Sequence, residues 1–310
     1  MLWPAMEASI TEDSFRDSKK SLSVFNFTWS GGAALGPGVG TFLVSFYSYR
    51  FAFFTSAIMF VAIIVLSFAI LFRHSSASIS KKGKLSIREE ESQLLDRGLT
   101  APSSLASSIR ELLFSSDKKR NFRVWMCLVT TALSALTSAV FFTFFGPYAT
   151  TLGLTVILIG AITTTYGVVR FLSYVVFARQ AIRERVFDPA KRNRNILIFA
   201  NVACLPSLLI LTIRDPSGAT YFAAFGLFAL GYSMVYAISQ LTLIAETPHH
   251  QMGAGAGLFE SSIGLGGFLG PIVAGAISSN NSLHISFLVP VVALFCALIL
   301  LFVLSLLQRN

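Results

Sequence analysis

A glycine–proline block occurs twice in this chain. Gly32-Ala33-Ala34-Leu35-Gly36-Pro37-Gly38-Val39-Gly40 near the start returns as Gly266-Gly267-Phe268-Leu269-Gly270-Pro271-Ile272-Val273-Ala274 near the end. The offset of 234 residues also pairs Ile10 with Ile244, Glu12 with Glu246, Phe25 with Phe259 and Leu35 with Leu269. Each copy follows a polar turn and opens a long apolar stretch. On a helix in lipid, such glycines let a second backbone approach closely. The proline bends the helix and frees a carbonyl that a neighbour must satisfy. A period this long holds a whole bundle of helices in each copy rather than one solenoid unit.

The apolar runs themselves imply lipid. Eight stretches, near 21–47, 51–72, 124–149, 155–178, 195–213, 219–244, 254–278 and 284–307, reach the roughly 20 residues that cross the hydrocarbon. With 54% hydrophobic and 13% charged residues and a mean hydropathy of +0.69, an ordinary soluble domain is excluded. The expected fold is an all-α membrane bundle of about eight transmembrane helices. Met1 to Ile10 carries Glu7 and no basic start, unlike a cleaved signal peptide. It reads as the last two turns of a helix begun earlier.

A net charge of +9 raises the question of nucleic acid, and its distribution answers it. Nearly all of the 24 Lys and Arg fall in 11–20, 73–123, 179–194 and at Arg309. The alternate connections hold only Arg50 and Arg214, and Arg170 lies inside a span. That asymmetry is the positive-inside bias, which places the basic segments and the C-terminus in the cytoplasm of a multi-pass plasma-membrane protein. No nucleic-acid partner is expected. Cys127, Cys204 and Cys296 are widely spaced inside spans and read as small hydrophobes, not as a disulfide or metal set.

The chain divides into 1–72, a polar Ser-rich linker at 73–123 expected to be cytoplasmic, and a six-span unit at 124–310. If the repeat marks one duplicated six-helix unit, the two spans before the linker are the fifth and sixth helices of the first unit. The first three helices and most of the fourth then lie outside this sequence. Within the linker, about 103–114 could form an amphipathic helix on the membrane, with Leu105, Ile109, Leu112 and Leu113 on one side. A merely solvated linker is the blander and preferred reading.

These residues resemble the major facilitator superfamily of secondary transporters. The likeness covers essentially the whole chain, as helices five to twelve of a twelve-helix fold. It is carried by Trp3-Pro4-Ala5-x-Glu7-Ala8 at the end of helix four and Phe25-Asn26-x-x-Trp29-Ser30-x-Gly32 entering helix five. The kink at Gly32, Gly36, Pro37 and Gly40 is similar to the antiporter motif of drug–proton exchangers, with Ser23 and Thr41 where the fuller pattern has glycine. Helix eleven is closer, with Gly257, Gly266, Gly270, Pro271 and Gly275. The resemblance implies parallel six-helix repeats with a substrate site between them near the midplane. It also implies that helices seven and ten line the cavity, and that helix eight packs on helix five so that Arg170 approaches Asn26. The glycine face of helix eleven, which would meet helix two, is expected to lack that partner here.

Ionisable groups inside hydrocarbon are costly and mark cavities. Of 15 acidic residues only Glu260 sits well inside a span, on a stripe with Gly253, Gly257, Gly264, Gly267 and Pro271. Partly desolvated, such a carboxylate could exchange protons; alternatively it caps or snorkels at the interface. Asn26 is its neutral counterpart in the other copy. Arg170, about 8 residues or roughly 12 Å inside its span, shares a face with Thr163, Tyr166 and Ser173. It either lines water, attracting an anion or a carboxylate, or reaches down to headgroups. Two further stripes suggest a pocket: Thr130, Ser134, Thr137, Phe141, Phe145 and Tyr148 on one span, and Tyr232, Tyr236 and Gln240 on another. A pocket of that composition suits a hydrophobic or amphipathic solute. With 29 Phe in the chain, core packing is the competing reading of each aromatic.

Catalytic, cofactor and metal motifs are weak. His249 and His250 are adjacent, so on a helix they diverge by about 100° rather than sharing a face. Gly253-x-Gly255-x-Gly257 opens a membrane helix and follows no strand. The reading is a non-enzymatic transporter working by alternating access, with lipid, a small solute and protons as partners. Proton-coupled efflux of an organic solute is its most specific form. Uptake of a sugar, anion or other metabolite is the alternative, as is a truncated membrane protein that does not transport.

Overall fold

The computed structural model describes residues 15–82, 105–182, 191–212, 218–248, 251–278 and 283–307. The expectations on Glu7, Ile10, Glu12, Arg214, His249 and His250 lie outside these residues. All eight anticipated spans are helices: α1 (Phe15–Phe46), α2 (Tyr49–Lys82), α4 (Lys118–Thr151), α5 (Val156–Ile182), α6 (Lys191–Thr212), α7 (Gly218–Glu246), α8 (Met252–Ser278) and α9 (Leu288–Leu307). The short α3 (Leu105–Leu113) lies in the linker, and a 3-10 turn (Leu283–Phe287) leads into α9. Among the described residues six helices are long and apolar enough to cross a membrane, and Asn195–Leu211 is a shorter apolar helix. The hydropathy of α1 does not place it among them, because its middle is built of Gly, Ala and Ser rather than Leu and Phe.

Local chemistry sets the ends. Asp117 caps α4, its side chain accepting from the Lys119 and Arg120 amides at 2.9 and 3.3 Å, which satisfies donors that a helix start leaves orphaned. Gly153 ends the turn after α4 at φ 75°, a left-handed conformation that glycine adopts without strain. α2 and α4 both run into the polar linker, so residues 73–82 and 118–123 are helical.

Internal contacts divide the chain into two units, Met1–Thr41 with Ser107–Asn310, and Phe42–Ala106. In the smaller unit, Tyr49–Leu66 buries nothing, and its Phe, Ile, Val and Met side chains are exposed all round. A helix apolar on every side suits contact with lipid. In the larger unit α8 packs chiefly on α4, α6 on α7, α5 on α7 and α9 on α4. The main core lies between these helices, with Phe141 and Phe145 of α4, Phe225 and Phe228 of α7, and Phe287 at its centre.

The glycine–proline blocks work as close-approach surfaces, on different faces. In α8, an added methyl at Gly266 would strike the Ala132 carbonyl, and one at Gly270 would meet the Leu136 backbone, so α4 crosses at backbone distance. In α1, Gly32, Gly36 and Gly40 meet none of the described residues. α1 meets α5 instead through the neighbouring face. There Gly167 lies against Ala33 and Ala34, Gly160 against Thr41, and Gly38 against Thr164. Ala33 is where Pro37 leaves a carbonyl without its helical partner, and Gly167 closes over it. Gly257, Gly264 and Gly267 on α8 face open space, as expected for the stripe that carries Glu260.

The linker helix departs from both sequence readings. Its apolar side docks on protein rather than lipid or water: Leu112 is fully buried among Val124, Leu128, Tyr174, Tyr236 and Phe259. The bundle's end offers an aromatic pocket to that leucine, which periodicity alone could not reveal.

Candidate functional site

α5 presents Tyr166, Arg170 and Tyr174 at successive turns of one face, since residues four apart stack along a helix. The helix continues through Ala178-Arg179-Gln180 to Ile182. Arg170 therefore sits nearer mid-helix than a span ending at 178 suggested. It is 6% exposed. Its Nη1 donates to the Tyr166 hydroxyl at 3.2 Å and its Nη2 to the Tyr174 hydroxyl at 3.4 Å.

Aromatic faces surround the same guanidinium. Trp29 of α1 lies 4.0 Å from it, centroid to carbon, and Tyr232 and Tyr236 of α7 lie at 5.0 and 5.6 Å. Trp29 also stacks on Tyr236, with centroids 6.2 Å apart. Each cation–π contact contributes about 0.5–2 kcal/mol according to how dry it is. Together they offset part of the cost of taking a charge out of water. Arg170 Nε is buried and has no hydrogen-bond partner among the described residues.

One turn from Trp29, Asn26 donates from Nδ2 to Gln240 Oε1 at 2.8 Å, both side chains buried. α1 and α7 are thus joined by a direct polar bond beside the caged cation. Arg170 and Asn26 were expected to approach each other; what the structure shows is that Arg170 meets Trp29, and that Asn26 is taken by Gln240. A cavity of about 10 Å³ lies beyond Gln240 between α7 and α8, lined also by Thr247, Met252, Gly255 and Phe259. That is room for about one water molecule. Glu260, on α8, is half-buried with one carboxylate oxygen enclosed, and is near enough to Tyr232 to act on it electrostatically.

Six sequence candidates come together here: Asn26, Tyr166, Arg170, Tyr232, Tyr236 and Gln240. Phe141, Phe145 and Tyr148 lie in the adjoining core, which Tyr166 and Tyr232 also enter, rather than against the guanidinium. Phe141 packs at 4.4 Å on both Phe225 and Phe228, Phe145 at 4.4 Å on Phe225, and Tyr148 at 5.5 Å on Phe287, all in the core. Thr163 and Ser173 bond back to their own helix. The sequence reading missed Tyr174, Trp29 as a lid, and Ser138 of α4, which lies near enough to Tyr166 and Tyr232 to act on their hydroxyls. The repeat of tyrosine four residues before and after Arg170 was a readable signal for the first. The other two depend on how helices cross.

A polytopic helical bundle with a caged cation between its helices is the architecture of a membrane carrier. The model of the Major Facilitator Superfamily matches residues 1–259 and again 127–309. The chain belongs to that superfamily and is a multi-pass membrane transporter protein. No curated protein matches the chain closely.

Proposed function

We propose that this protein is a secondary transporter of a small organic anion, recognised through Arg170. The observation that carries the reading is the buried guanidinium with an unspent Nε–H, held among phenol hydroxyls and rings where α1, α5 and α7 meet. A planar fork of donors pairs bidentately with a carboxylate. An arriving anion compensates the buried charge better than π faces do, so binding would draw Arg170 away from Trp29. Alternating access then consists of breaking and remaking the Asn26–Gln240 bond as the bundle rocks about the site. The basic segments and the C-terminus would face the cytoplasm, in the plasma membrane.

Glu260 supports proton coupling, with efflux as the direction. It is the acidic side chain inside a predicted span, half-buried and in electrostatic reach of the tyrosine cluster. A carboxylate there could take a proton as the anion leaves.

Trp29 emission and benzoate provide the test, in the purified full chain with Trp3→Phe and Trp125→Phe so that Trp29 alone emits. Benzoate should change the fluorescence, and uncharged benzamide should not. Arg170→Gln should abolish the response, and Arg170→Lys should weaken it at least tenfold, because an ammonium lacks the fork. Equal responses to benzoate and benzamide would remove the anion reading. In liposomes with an imposed pH gradient, unchanged gradient-driven benzoate flux in Glu260→Gln would remove Glu260 from the mechanism.

A further inference from the structure

α3 reaches the wall of the Arg170 site from outside it. Leu112, with no exposed surface, sits in one cluster with Val124 and Leu128 of α4, Tyr174 of α5, Tyr236 of α7 and Phe259 of α8. Tyr174 and Tyr236 are two of the rings around the guanidinium. One leucine of the linker therefore belongs to the same apolar cluster as two of the rings that hold Arg170.

Three further ties fasten this segment to the bundle. Gln251 Nε2 donates to Glu111 Oε2 at 2.5 Å. Ser115 N donates to Asn121 Oδ1 at 2.9 Å, and Asn121 Nδ2 returns a bond to the Ser115 carbonyl at 2.6 Å. Trp125 Nε1 donates to the Leu113 carbonyl at 3.3 Å, with Phe114 edge-on at 6.4 Å. Beside them Arg123 and Glu246 clamp α4 to α7 by two charged hydrogen bonds. A helix of nine residues does not hold its shape alone in water, so α3 exists by these contacts. Leu112, with the half-buried Leu113 beside it, and a few polar bonds at the wet end of a bundle are the kind of attachment that opens locally without global unfolding.

We propose that α3 is a gate: Leu112 closes the Arg170 site at the end where α4 and α8 begin, and positions Tyr174 and Tyr236 while it does so. Solute passes that end when Leu112 withdraws. The solute part of this rests on Arg170 being the binding group. The opening itself can be measured without any solute.

The test uses the full chain with Cys127, Cys204 and Cys296 replaced by alanine and Ser173→Cys as reporter. Ser173 lies one turn beyond Arg170 and is 6% exposed. The probe is a charged, membrane-impermeant maleimide. Labelling should be slow in this parent and faster on the order of tenfold in Leu112→Ala and in Gln251→Ala, because both raise the open fraction. Leu112→Met, which refills the pocket, should restore the slow rate. A parental rate in Gln251→Ala, which removes the bond to Glu111 and leaves Leu112 itself in place, would overturn the gate, as would failure of methionine to rescue. Faster labelling without benzoate binding supports the gate and removes the anion; benzoate binding with unchanged labelling does the reverse.

Discussion

α1 and α8 carry the same glycine–proline block and use opposite faces of it. In α8, Gly266 and Gly270 receive α4 at backbone distance and Ala274 is fully buried. Their counterparts at the 234-residue offset, Gly32, Gly36 and Gly40, meet none of the described residues. Across the helix the relation inverts. Gly31, Ala34 and Gly38 of α1 face Phe171, Gly167 and Thr164 of α5. Their counterparts Leu265, Phe268 and Ile272 are 56%, 67% and 52% exposed. A single repeated block therefore offers two docking faces. Where a helix crosses at backbone distance the residue is glycine or alanine; where none of the described helices lies, α8 carries the large side chains Leu265, Phe268 and Ile272, while α1 keeps Gly32, Gly36 and Gly40. The shared glycines mark a capacity for close packing, and only the neighbour decides whether it is filled.

The sharpest way to break this comparison is to add bulk at paired positions. Gly270→Val would drive a side chain into the Leu136 backbone, and Gly266→Val into the Ala132 carbonyl. Each should cost ~3 kcal/mol or more, since a backbone cannot step aside as a side chain can. Gly36→Val and Gly32→Val, in open space, should stay within about 0.5 kcal/mol. Thermal unfolding in detergent reads both. Equal destabilisation of the two pairs would show that α1 is covered on that face after all.

The second effect concerns the other face. Gly167→Ala places a methyl against the Ala34 backbone and should cost roughly 2 kcal/mol, by prising α1 from α5. Phe268→Ala, at the position of α8 that corresponds to Ala34, removes a side chain that is 67% exposed and should cost under about 0.5 kcal/mol. The same unfolding measurement, with Trp29 emission as a local reporter, separates them: Gly167→Ala should shift Trp29 before the global transition, and Phe268→Ala should not. Coincident changes in both variants would mean that the two faces are not distinct.

Much of this was legible in the residues alone, for reasons that differ by element. Six of the eight anticipated spans follow from apolar length, which lipid enforces on any chain; α6 is shorter, and α1 is diluted by Gly, Ala and Ser. Arg170, Asn26 and Gln240 stood out because a polar side chain in hydrocarbon requires a reason. Phe141 and Phe145 misled for the converse cause: an aromatic stripe on a helix looks the same whether it lines a cavity or packs on Phe225 and Phe228. Trp29 was visible only as part of a helix entry, because its role depends on α1 crossing α5 near Arg170. Gly160 and Gly167 went unremarked, being seven residues apart and outside any proline block, yet they set that crossing. Leu112 was placed on the right face of the right helix and given the wrong neighbour, since hydrophobic periodicity states that a side is buried and never against what.

The smallest difference between the copies is chemical. Asn26 and Glu260 correspond at the repeat offset, one neutral and one ionisable. Asn26 spends its amide on Gln240 at 2.8 Å inside the bundle. Asn26→Leu would put a hydrocarbon side chain beside Gln240 Oε1, at a cost of about 1 kcal/mol for the lost bond. Asn26→Asp keeps the shape but presents an oxygen to that oxygen, so Gln240 must turn its own amide inward for the bond to survive. If it can turn, Asn26→Asp will be the milder of the two near neutral pH, and its stability will depend on pH where Asn26→Leu is flat. Unfolding of both variants across pH 4 to 8 measures this. A flat profile in Asn26→Asp would mean that the amide pair does not set how α1 meets α7, and that the stacking of Trp29 on Tyr236 holds the two helices together instead.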